Sequence, residues 1–481
     1  MHGNCASPEF SIEIHLSQSR DRRRWTTKSL NHNSKEQRMN RIILVIALSV
    51  FISMPVLAQE TKPVDKVLIT NVNIFDGKSE KLTKSMSVLI EGNKIAKIGN
   101  DIKAPEGAHV IDANGRTMTP GFIDSHAHVM FQMSFGEAAN SDEYYWAYVA
   151  TRSAKLYLNS GFTTIRDAAG NSFSLKKAID RGIVVGPRIY PSGPMISQTS
   201  GHSDHRSDAQ RSAMVADEPS TFMKYDMAQI ADGRAEVLKT VREALRRGAS
   251  QIKICVGGGT GSQADPLDVT QYTADEIRAA VEAAADWGTY VLAHVYNSKG
   301  IRRAIENGVK SIEHGNLVDE PTMELMKEKG IWLSPQVIVY TYYPQGYTED
   351  QKAKHDQAFA GIDNMFKIAK KIGFKKIAFG SDIITDPTML NRINEEFVHR
   401  TKWFSPAEIL RQATSISAEL LTLSGLRNPY PGKLGVIEEG ALADILLING
   451  DPLKDISILT KPEENLALIM KDGKIYKNIL P

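Results

Sequence analysis

Near both ends of the chain, apolar positions follow the two-residue period of a β-strand. Met86–Ile90 and Ile95–Ile98 flank a Gly-Asn turn, and near the other end Leu466–Met470 and Ile475–Lys477 flank an Asp-Gly turn. Paired apolar segments around such turns are typical of β-hairpins. Because the pattern occurs at the two ends and not between them, it predicts one small β-sheet domain assembled from both.

The middle of the chain alternates short apolar strands with amphipathic stretches such as Ala274–Trp287 and Lys299–Asn307, in which apolar residues recur at helical spacing. Eight such repeats fit a closed (β/α)8 TIM barrel of the α/β class. A doubly wound open sheet is the alternative, but no Gly-x-Gly-x-x-Gly phosphate loop follows an early strand. The predicted barrel strands are Gly121–Asp124, Thr163–Arg166, Arg188–Pro191, Gln251–Val256, Tyr290–His294, Ser311–His314, Trp332–Pro335 and Ile377–Gly380.

The first residues have a different character. Arg38–Arg41 precede an apolar run, Ile42–Ile52, and a small-residue cleavage site ends at Ala58. This is the layout of a secretory signal peptide, and the run is too short for a spanning helix. A membrane anchor is the alternative. The signal predicts a periplasmic or secreted protein without stable membrane insertion after cleavage.

The periodicity and the leader together predict the domain organisation. Residues 1–38 are polar and Arg-rich without periodicity, so they are either disordered or upstream of the true start at Met39. The predicted segments are a leader at 1–38, a signal peptide at 39–58, a metal-dependent (β/α)8 barrel at 120–426, and a composite β-sandwich domain at 60–119 and 427–481.

Composition excludes some classes of protein. Hydrophobic residues make up 42% and charged residues 24% of the chain, as in an ordinary globular protein. A net charge of +2 without a basic stripe argues against a nucleic-acid partner. Cys5 and Cys255 are the two cysteines, so no disulfide framework is expected.

Candidate chemistry lies at the ends of the predicted barrel strands, where barrel enzymes place their catalytic groups. His126 and His128 are two apart on the first strand, so both imidazoles face the same side and can bind one metal ion. His294, His314 and Asp382 each follow apolar residues at the end of a later strand. A lone histidine at the end of a strand is usually a core residue. Ionisable residues at three successive strand ends are harder to explain by packing.

Lys253 lies inside an apolar strand, where a charge is costly unless it is removed or paired. Two interpretations remain open: an ion pair inside the barrel, for example with Asp382, or carboxylation by carbon dioxide, which makes an anionic oxygen donor able to bridge two cations. Imidazole and carboxylate are ligands that Zn²⁺ prefers, and six donors suffice for two divalent metal ions with a position open for water. The candidate ligands are His126, His128, Lys253, His294, His314 and Asp382.

The order, spacing and local sequence of these residues resemble the amidohydrolase superfamily over nearly the whole mature chain. Within it, the chain resembles the imidazolonepropionase-like and prolidase-like branch, which includes dipeptidases for Xaa-Pro or related substrates. Besides the ligands, the resemblance rests on four motifs: Gly161–Asp167, Gly186–Arg188, Ser200–His202 and Gly440–Ile445.

The resemblance implies a role for each candidate. His126, His128 and Asp382 would hold the more buried metal ion, and His294 and His314 the more exposed one. N6-carboxylated Lys253 would bridge the two ions. A shared hydroxide would attack, and Asp382 would orient it and carry its proton to the leaving amine.

The resemblance also implies two further catalytic residues. Tyr296 would stabilise the developing oxyanion, and His202 would contact the carbonyl or the substrate carboxylate. The loop departs from the familiar Gly-His-Gly-Asp at Ser203, which changes its expected shape. Arg206 and Arg211 lie nearby, as candidate carboxylate ligands or as ordinary surface arginines.

The resulting hypothesis is an exported hydrolase of dipeptides or N-acyl amino acids with a free C-terminal carboxylate. Three alternatives remain: a mononuclear deaminase, an imidazolonepropionase-like cyclic amide hydrolase, and a periplasmic metal- or peptide-binding protein. Deaminases usually carry glutamate where this chain has Asn297, and they lack the bridging lysine. A homo-oligomer is compatible with such a barrel. Residues that either line an apolar pocket or pack in the core are Tyr225, Met227, Tyr340, Tyr342 and Tyr343.

Overall fold

The computed structural model describes residues 65–206, 210 and 219–480. The predicted leader, the signal peptide and Arg211 lie outside the described residues. Within the described part, no helix combines the length and apolar character needed to cross a membrane.

The described chain contains the following strands and helices. The strands are β1 Lys66–Ile74, β2 Thr83–Glu91, β3 Lys94–Gly99, β4 His109–Asp112, β5 Thr117–Pro120, β6 Phe122–Ala127, β7 Phe162–Asp167, β8 Arg188–Pro191, β9 Met195–Ser197, β10 Ala228–Ile230, β11 Ile252–Cys255, β12 Val291–Asn297, β13 Ser311–Leu317, β14 Trp332–Ser334, β15 Ile445–Ile448, β16 Leu466–Lys471 and β17 Lys474–Asn478. The α-helices are α1 Phe135–Ala139, α2 Glu143–Asn159, α3 Phe173–Asp180, α4 Thr221–Lys224, α5 Gly233–Arg246, α6 Ala274–Asp286, α7 Ser298–Glu306, α8 Glu320–Glu328, α9 Glu349–Ile372, α10 Glu395–His399, α11 Pro406–Arg411, α12 Ser417–Leu421 and α13 Pro462–Asn465. Short 3₁₀ helices lie at Ile338–Thr341, Met389–Arg392, Arg400–Lys402, Thr422–Arg427 and Ile456–Thr460, and a π-helical turn lies at Gln412–Ile416.

Parallel strands form the barrel in two runs, β6-β7-β8 and β11-β12-β13-β14. The Ser250 amide donates to the Pro191 carbonyl at 2.8 Å and joins the two runs. A segment from Ile377 pairs with β14 on one side, and on the other the Ser125 amide donates to its Phe379 carbonyl at 2.7 Å, which closes the ring. The predicted TIM barrel is confirmed, and each predicted strand lies in its wall.

Two short strands were not predicted. β9 and β10 pair with each other, and β9 also pairs with β11, so they extend the sheet beside the barrel wall. Three-residue strands carry too few positions for a recognisable period. The residues of β9 are nevertheless all buried, and they lead into the loop that carries His202.

Capping residues fix the beginnings of the helices that surround the barrel. Thr273 and Glu276 form a capping box at the start of α6, and Thr348 and Gln351 do the same for α9. Each helix turns its apolar residues to the core and leaves charged residues in water. The helices predicted at 274–287 and 299–307 are α6 and α7, with bounds that differ by one residue.

A second sheet combines strands from both ends of the described chain, in the order β17-β16-β15-β5-β1-β2-β3 with β4 on β1. β5 and β15 pair antiparallel between Thr117–Pro120 and Ile445–Ile448, which joins the two halves. A separate apolar core lies against this sheet. The small β domain built from both ends is therefore confirmed, while its exact boundaries stay a prediction.

Candidate metal centre and catalytic site

The carboxyl ends of the barrel strands converge on a cavity of about 680 Å³, measured with its opening to solvent. All six candidate ligands line it, as do His202 and Tyr296. Further lining residues are Phe131, Phe135, Met195, His205, Thr260, Val339, Tyr340, Tyr347, His355 and Ile384.

A buried carboxylate connects β6 to the segment that carries Asp382. Asp124 accepts from the backbone amides of His126 at 2.9 Å and Ser381 at 3.1 Å, and from the Ser381 hydroxyl at 2.5 Å. Gly380 permits this approach, because a Cβ there would lie 2.9 Å from the Cβ of His126. The Asp124 carboxylate therefore holds the backbone of His126 and that of Ser381, the residue before Asp382.

His126, His128 and Asp382 form the tightest group of potential ligands among the described residues. One ligand atom from each lies within 4.8 Å of the others. Asp382 Oδ1 is 3.0 Å from His128 Nε2 and 3.4 Å from His126 Nε2. Three donors on one side of a small space leave the remaining positions of a tetrahedral or five-coordinate ion for other ligands.

A buried ion pair orients His126. Its Nδ1 lies 2.8 Å from Glu313 Oε2, and because a carboxylate accepts, Nδ1 carries the proton. Both oxygens of Glu313 accept from Arg166 Nη2, at 2.8 and 2.7 Å. The Nε2 lone pair of His126 is therefore directed at the cavity, as a metal-binding histidine requires.

His294 and His314 are oriented in the same way. His294 Nε2 donates to the Gly258 carbonyl at 3.0 Å, which leaves Nδ1 as its lone pair. His314 Nδ1 donates to Gln336 Oε1 at 2.8 Å, and the Gln336 amide nitrogen donates to the Ser334 carbonyl at 2.6 Å, so the oxygen faces the imidazole. His314 thus presents Nε2.

The backbone is strained at two of these residues. His314 has a φ of 70° and Asp382 a φ of 53°, in the left-handed region that side chains with a Cβ rarely adopt. Such a conformation costs about 1–3 kcal/mol and persists where the surrounding structure enforces it. Here it turns both side chains into the cavity at the ends of their strands.

Lys253 lies at the base of the same cavity and is 1% exposed. β11 and β12 pair in register, with Cys255 opposite His294, so Lys253 lies one layer below that imidazole. Burial lowers the pKa of the Lys253 amine. Lys253 therefore lies with the imidazoles, as both interpretations of the sequence required.

Burial sets the protonation of the site. It lowers the pKa of His126 to about 4 and those of His294 and His314 well below their usual value. Burial alone would raise the pKa of Asp382, but the imidazoles of His126, His128 and His314 hold it below its usual range. Neutral imidazoles beside an ionised carboxylate are the protonation states that bind a cation.

The donor set fits divalent metal ions. His126 Nε2, which lies 3.4 Å from Asp382 Oδ1, is buried without a hydrogen-bond partner among the described residues, and such an atom is costly unless it has a ligand. Nitrogen and carboxylate donors are those that borderline cations such as Zn²⁺ favour. The cluster can therefore hold metal.

His202 lies directly against the predicted ligands. Its ring stacks on that of His294 with centroids 3.9 Å apart, and its Nδ1 is 2.9 Å from the Ser262 hydroxyl and 3.5 Å from Asp265 Oδ2. Gly259 leaves room for it, because a Cβ there would lie 1.9 Å from His202 Nδ1.

Tyr296 lies on the other side of the imidazoles. Its ring stacks on His314 with centroids 5.0 Å apart, and its hydroxyl is 2.8 Å from that of Tyr340. Burial raises the pKa of Tyr296, so its hydroxyl stays protonated and can donate a hydrogen bond.

Of the residues that the sequence offered as pocket lining or core, one lines the cavity and the others do not. Tyr340 lines the cavity, while Tyr343 is 48% exposed, and neither Tyr225 nor Met227 is among the lining residues. Tyr342 packs partly buried against the core. Arg206 donates to both oxygens of Asp204, at 2.6 and 2.5 Å, in a neighbouring outer cavity of about 1330 Å³, also measured with its opening to solvent.

Sequence reasoning missed Glu313, Gln336 and His355. Glu313 had a usable signal, because it is an acid inside an apolar strand, one residue before a candidate ligand. Gln336 and His355 had none, since each comes from a segment whose approach to the cavity depends on the packing of the 3₁₀ helix at Ile338–Thr341 and of α9.

Comparison with known proteins identifies the family. The amidohydrolase family profile matches residues 117–476, well over half of the chain. The chain belongs to the amidohydrolase family. It is accordingly a hydrolase that acts on amide or peptide carbon–nitrogen bonds, in a family that generally binds metal ions.

Individual relatives confirm the predicted branch. The chain is 30% identical to an ochratoxinase from Aspergillus niger over 480 residues, covering 94% of this chain and 92% of that protein. A prolidase crystallised with N-methylphosphonate-L-proline is 34% identical with a TM-score of 0.80, covering 86% of this chain and 100% of the other. A Xaa-Pro dipeptidase with bound methionine is 31% identical with a TM-score of 0.75 and the same coverage.

Proposed function

We propose that this amidohydrolase cleaves the amide bond of dipeptides or N-acyl amino acids that carry a free C-terminal carboxylate. The observation that carries the proposal is the convergence of oriented imidazoles, Asp382 and Lys253 on one cavity. The similarity to a prolidase, a Xaa-Pro dipeptidase and an ochratoxinase supports this substrate class.

Two divalent cations, which we propose are Zn²⁺, would supply Lewis acidity that polarises the amide carbonyl and makes water nucleophilic near neutral pH. His126, His128 and Asp382 would hold one ion and His294 and His314 the other. Asp382 would take the proton from the attacking water on a carboxylate oxygen and deliver it to the leaving nitrogen. The Tyr296 hydroxyl would donate to the carbonyl oxygen as negative charge develops there.

We further propose that Lys253 is carboxylated on Nζ. An amine reacts with carbon dioxide in its neutral form, and burial among imidazoles favours that form. The neutral amine adds to carbon dioxide and releases one proton, so the product is an anionic oxygen ligand in place of a buried neutral amine. Mass spectrometry of the intact protein under carbon dioxide, with a Lys253→Arg control, checks for the added mass.

The substrate carboxylate would be placed near His202, toward the outer cavity. Arg206 is already neutralised by Asp204, so His202 is the better donor of the two. Deamination is disfavoured, because the Asn297 amide donates to the carbonyls of Leu267 and Val269 and its oxygen caps α7. That side chain is occupied in structural hydrogen bonds and is not placed to move a proton.

A dipeptide library screen on zinc-reconstituted enzyme tests the proposal, with Asp382→Asn as the variant. We expect turnover of some dipeptides by the wild type and near-complete loss in the variant, with much of the metal retained. Bound metal without turnover of any amide would favour a binding protein, and turnover of cyclic amides alone would favour an imidazolonepropionase-like reaction. Unchanged activity in the variant would remove Asp382 from the mechanism.

We also propose that the protein is exported to the periplasm or secreted, with cleavage after Ala58, and that it assembles as a homo-oligomer. The apolar run and the cleavage site at the predicted signal peptide support export. N-terminal sequencing of the mature protein, and its mass in solution by light scattering, check these two statements.

A further inference from the structure

A buried histidine outside the metal cluster lines the cavity without a role in the mechanism above. His355 projects from α9 and is 2% exposed. Its Nε2 lies 3.1 Å from the Val339 carbonyl, and its Nδ1 has no hydrogen-bond partner among the described residues. A buried polar atom without a partner calls for an explanation, since each costs about 1–3 kcal/mol.

The Val339 hydrogen bond decides which nitrogen carries the proton. A carbonyl only accepts, so Nε2 is the donor and Nδ1 is a bare lone pair in the neutral ring. Burial lowers the pKa of His355, which favours this neutral form. His355 therefore offers a hydrogen-bond acceptor that nothing in the described protein uses.

Three tyrosine rings pack around His355. The ring centroids of Tyr340, Tyr343 and Tyr347 lie 5.4, 5.2 and 6.1 Å from that of His355. The faces of aromatic rings attract cations, most strongly where water is excluded. A lone pair within a cage of tyrosine rings matches a positively charged donor better than a carboxylate.

At its exposed outer edge the cage already meets charged side chains of the protein: Tyr343 donates to Asp356 at 2.6 Å, and the Lys352 ammonium lies 6.0 Å from the centroid of the Tyr343 ring. The rings of Tyr340 and Tyr347 line the cavity. Among the described residues that line the cavity, Lys253 is the one lysine or arginine, and it lies with the metal ligands. Tyr340 connects the cage to those ligands, because its hydroxyl is 3.3 Å from His314 Nδ1.

We propose that His355 and the rings of Tyr340 and Tyr347 bind an ammonium group on the acyl side of the scissile amide. The ammonium is either the free α-amino terminus of a dipeptide or a side-chain amine of its first residue. This rests on the proposed function and narrows it, because substrates with an uncharged acyl group would then be poor. The carboxylate end would lie on the opposite side, near His202.

Matched substrate pairs test the proposal. Alanyl-leucine and N-propionyl-leucine differ by the α-ammonium alone, and 6-aminohexanoyl-leucine and hexanoyl-leucine differ by a side-chain-like ammonium. We expect the charged member of at least one pair to have the higher kcat/KM by about tenfold or more, the range of a charge-assisted hydrogen bond. Which pair shows the preference distinguishes the two sources of the ammonium. No preference in either pair would overturn the proposal.

Two substitutions of His355 distinguish a role in ligand binding from a role in packing. His355→Gln keeps an amide near the Nε2 position for the Val339 carbonyl but has no acceptor at the Nδ1 position. His355→Asn places its oxygen near Nδ1 but cannot reach Val339. We expect the preference for the charged substrate to collapse in the Gln variant and to persist in the Asn variant. The reverse order would make His355 a structural residue.

Binding measurements keep this test independent of turnover. Calorimetry with metal-loaded Asp382→Asn protein compares the dissociation constants of the same pairs, with and without His355→Gln. If no amide is hydrolysed by the wild type but the charged ligands bind about tenfold more tightly, the hydrolase proposal fails and the ammonium subsite stands. If amides are hydrolysed and the charged and uncharged ligands bind equally, the subsite fails alone.

Discussion

Replacing Glu313 with glutamine would test whether its buried ion pair with Arg166 tunes the metal site. Glu313 and Arg166 are fully buried, and Glu313 also holds His126 Nδ1 at 2.8 Å. Burial alone would raise the pKa of Glu313, but Arg166 and His126 hold it below its usual range. The carboxylate is therefore ionised, and Glu313→Gln removes its charge with little change of shape.

Two effects of different size follow from this change. Removing one charge of a buried pair costs about 3–5 kcal/mol of unfolding free energy, and the amide oxygen recovers part of this by accepting from Arg166. Losing the outer partner of a metal-binding histidine weakens metal affinity by about 10–100-fold. The amide can also present its NH₂ group to His126 and favour the tautomer whose Nε2 carries the proton, which cannot bind the ion.

Glu396→Gln is a matched control. Glu396 pairs with Arg400 at 2.7 Å, and both side chains are fully buried, but its second oxygen accepts from the amides of Val337 and Ile338 and does not contact an imidazole. We expect both variants to unfold at lower denaturant concentration when stripped of metal. We expect reduced metal affinity in Glu313→Gln alone.

Competition with a chelating dye measures the zinc affinity, and guanidinium unfolding of the metal-free proteins measures stability. Equal zinc affinity of Glu313→Gln and the wild type would refute the orienting role of Glu313. Equal losses of affinity in both variants would show that the effect comes from general loosening of the barrel.

Three further predictions concern single side chains. Lys253→Ala should lose at least one metal equivalent by elemental analysis, and acetate or propionate should restore part of it; full metal content without them would contradict the bridging role. Gly259→Ala should displace His202, whose Nδ1 would lie 1.9 Å from the new Cβ, and lower kcat/KM by about 100-fold at unchanged metal content. Burial lowers the pKa of His205 to about 4, so the unfolded chain, with a pKa near 6.5, gains a proton first as pH falls between these values. The free energy of unfolding of the wild type should therefore fall more over this pH range than that of His205→Phe. Parallel curves of unfolding free energy against pH for the two proteins would contradict this role of His205.

The sequence alone determined the barrel strands and most of the predicted ligand set. Each barrel strand is a short apolar run that the next helix separates from its successor, so local periodicity is enough to find it. His126, His128, His294, His314 and Asp382 stand at the ends of such runs, and strand parity alone puts the first two on one face. The resemblance to the amidohydrolases supplied their roles.

Only the tertiary structure decided how these groups are oriented and what else faces them. Glu313 on β13 and Gln336 after β14 decide which nitrogen carries the proton in His126 on β6 and in His314 on β13. His355 reaches the cavity from a helix far along the chain, between tyrosines of another segment. Period and spacing are properties of neighbouring residues, whereas hydrogen-bond direction and enclosure arise only when distant segments are packed together.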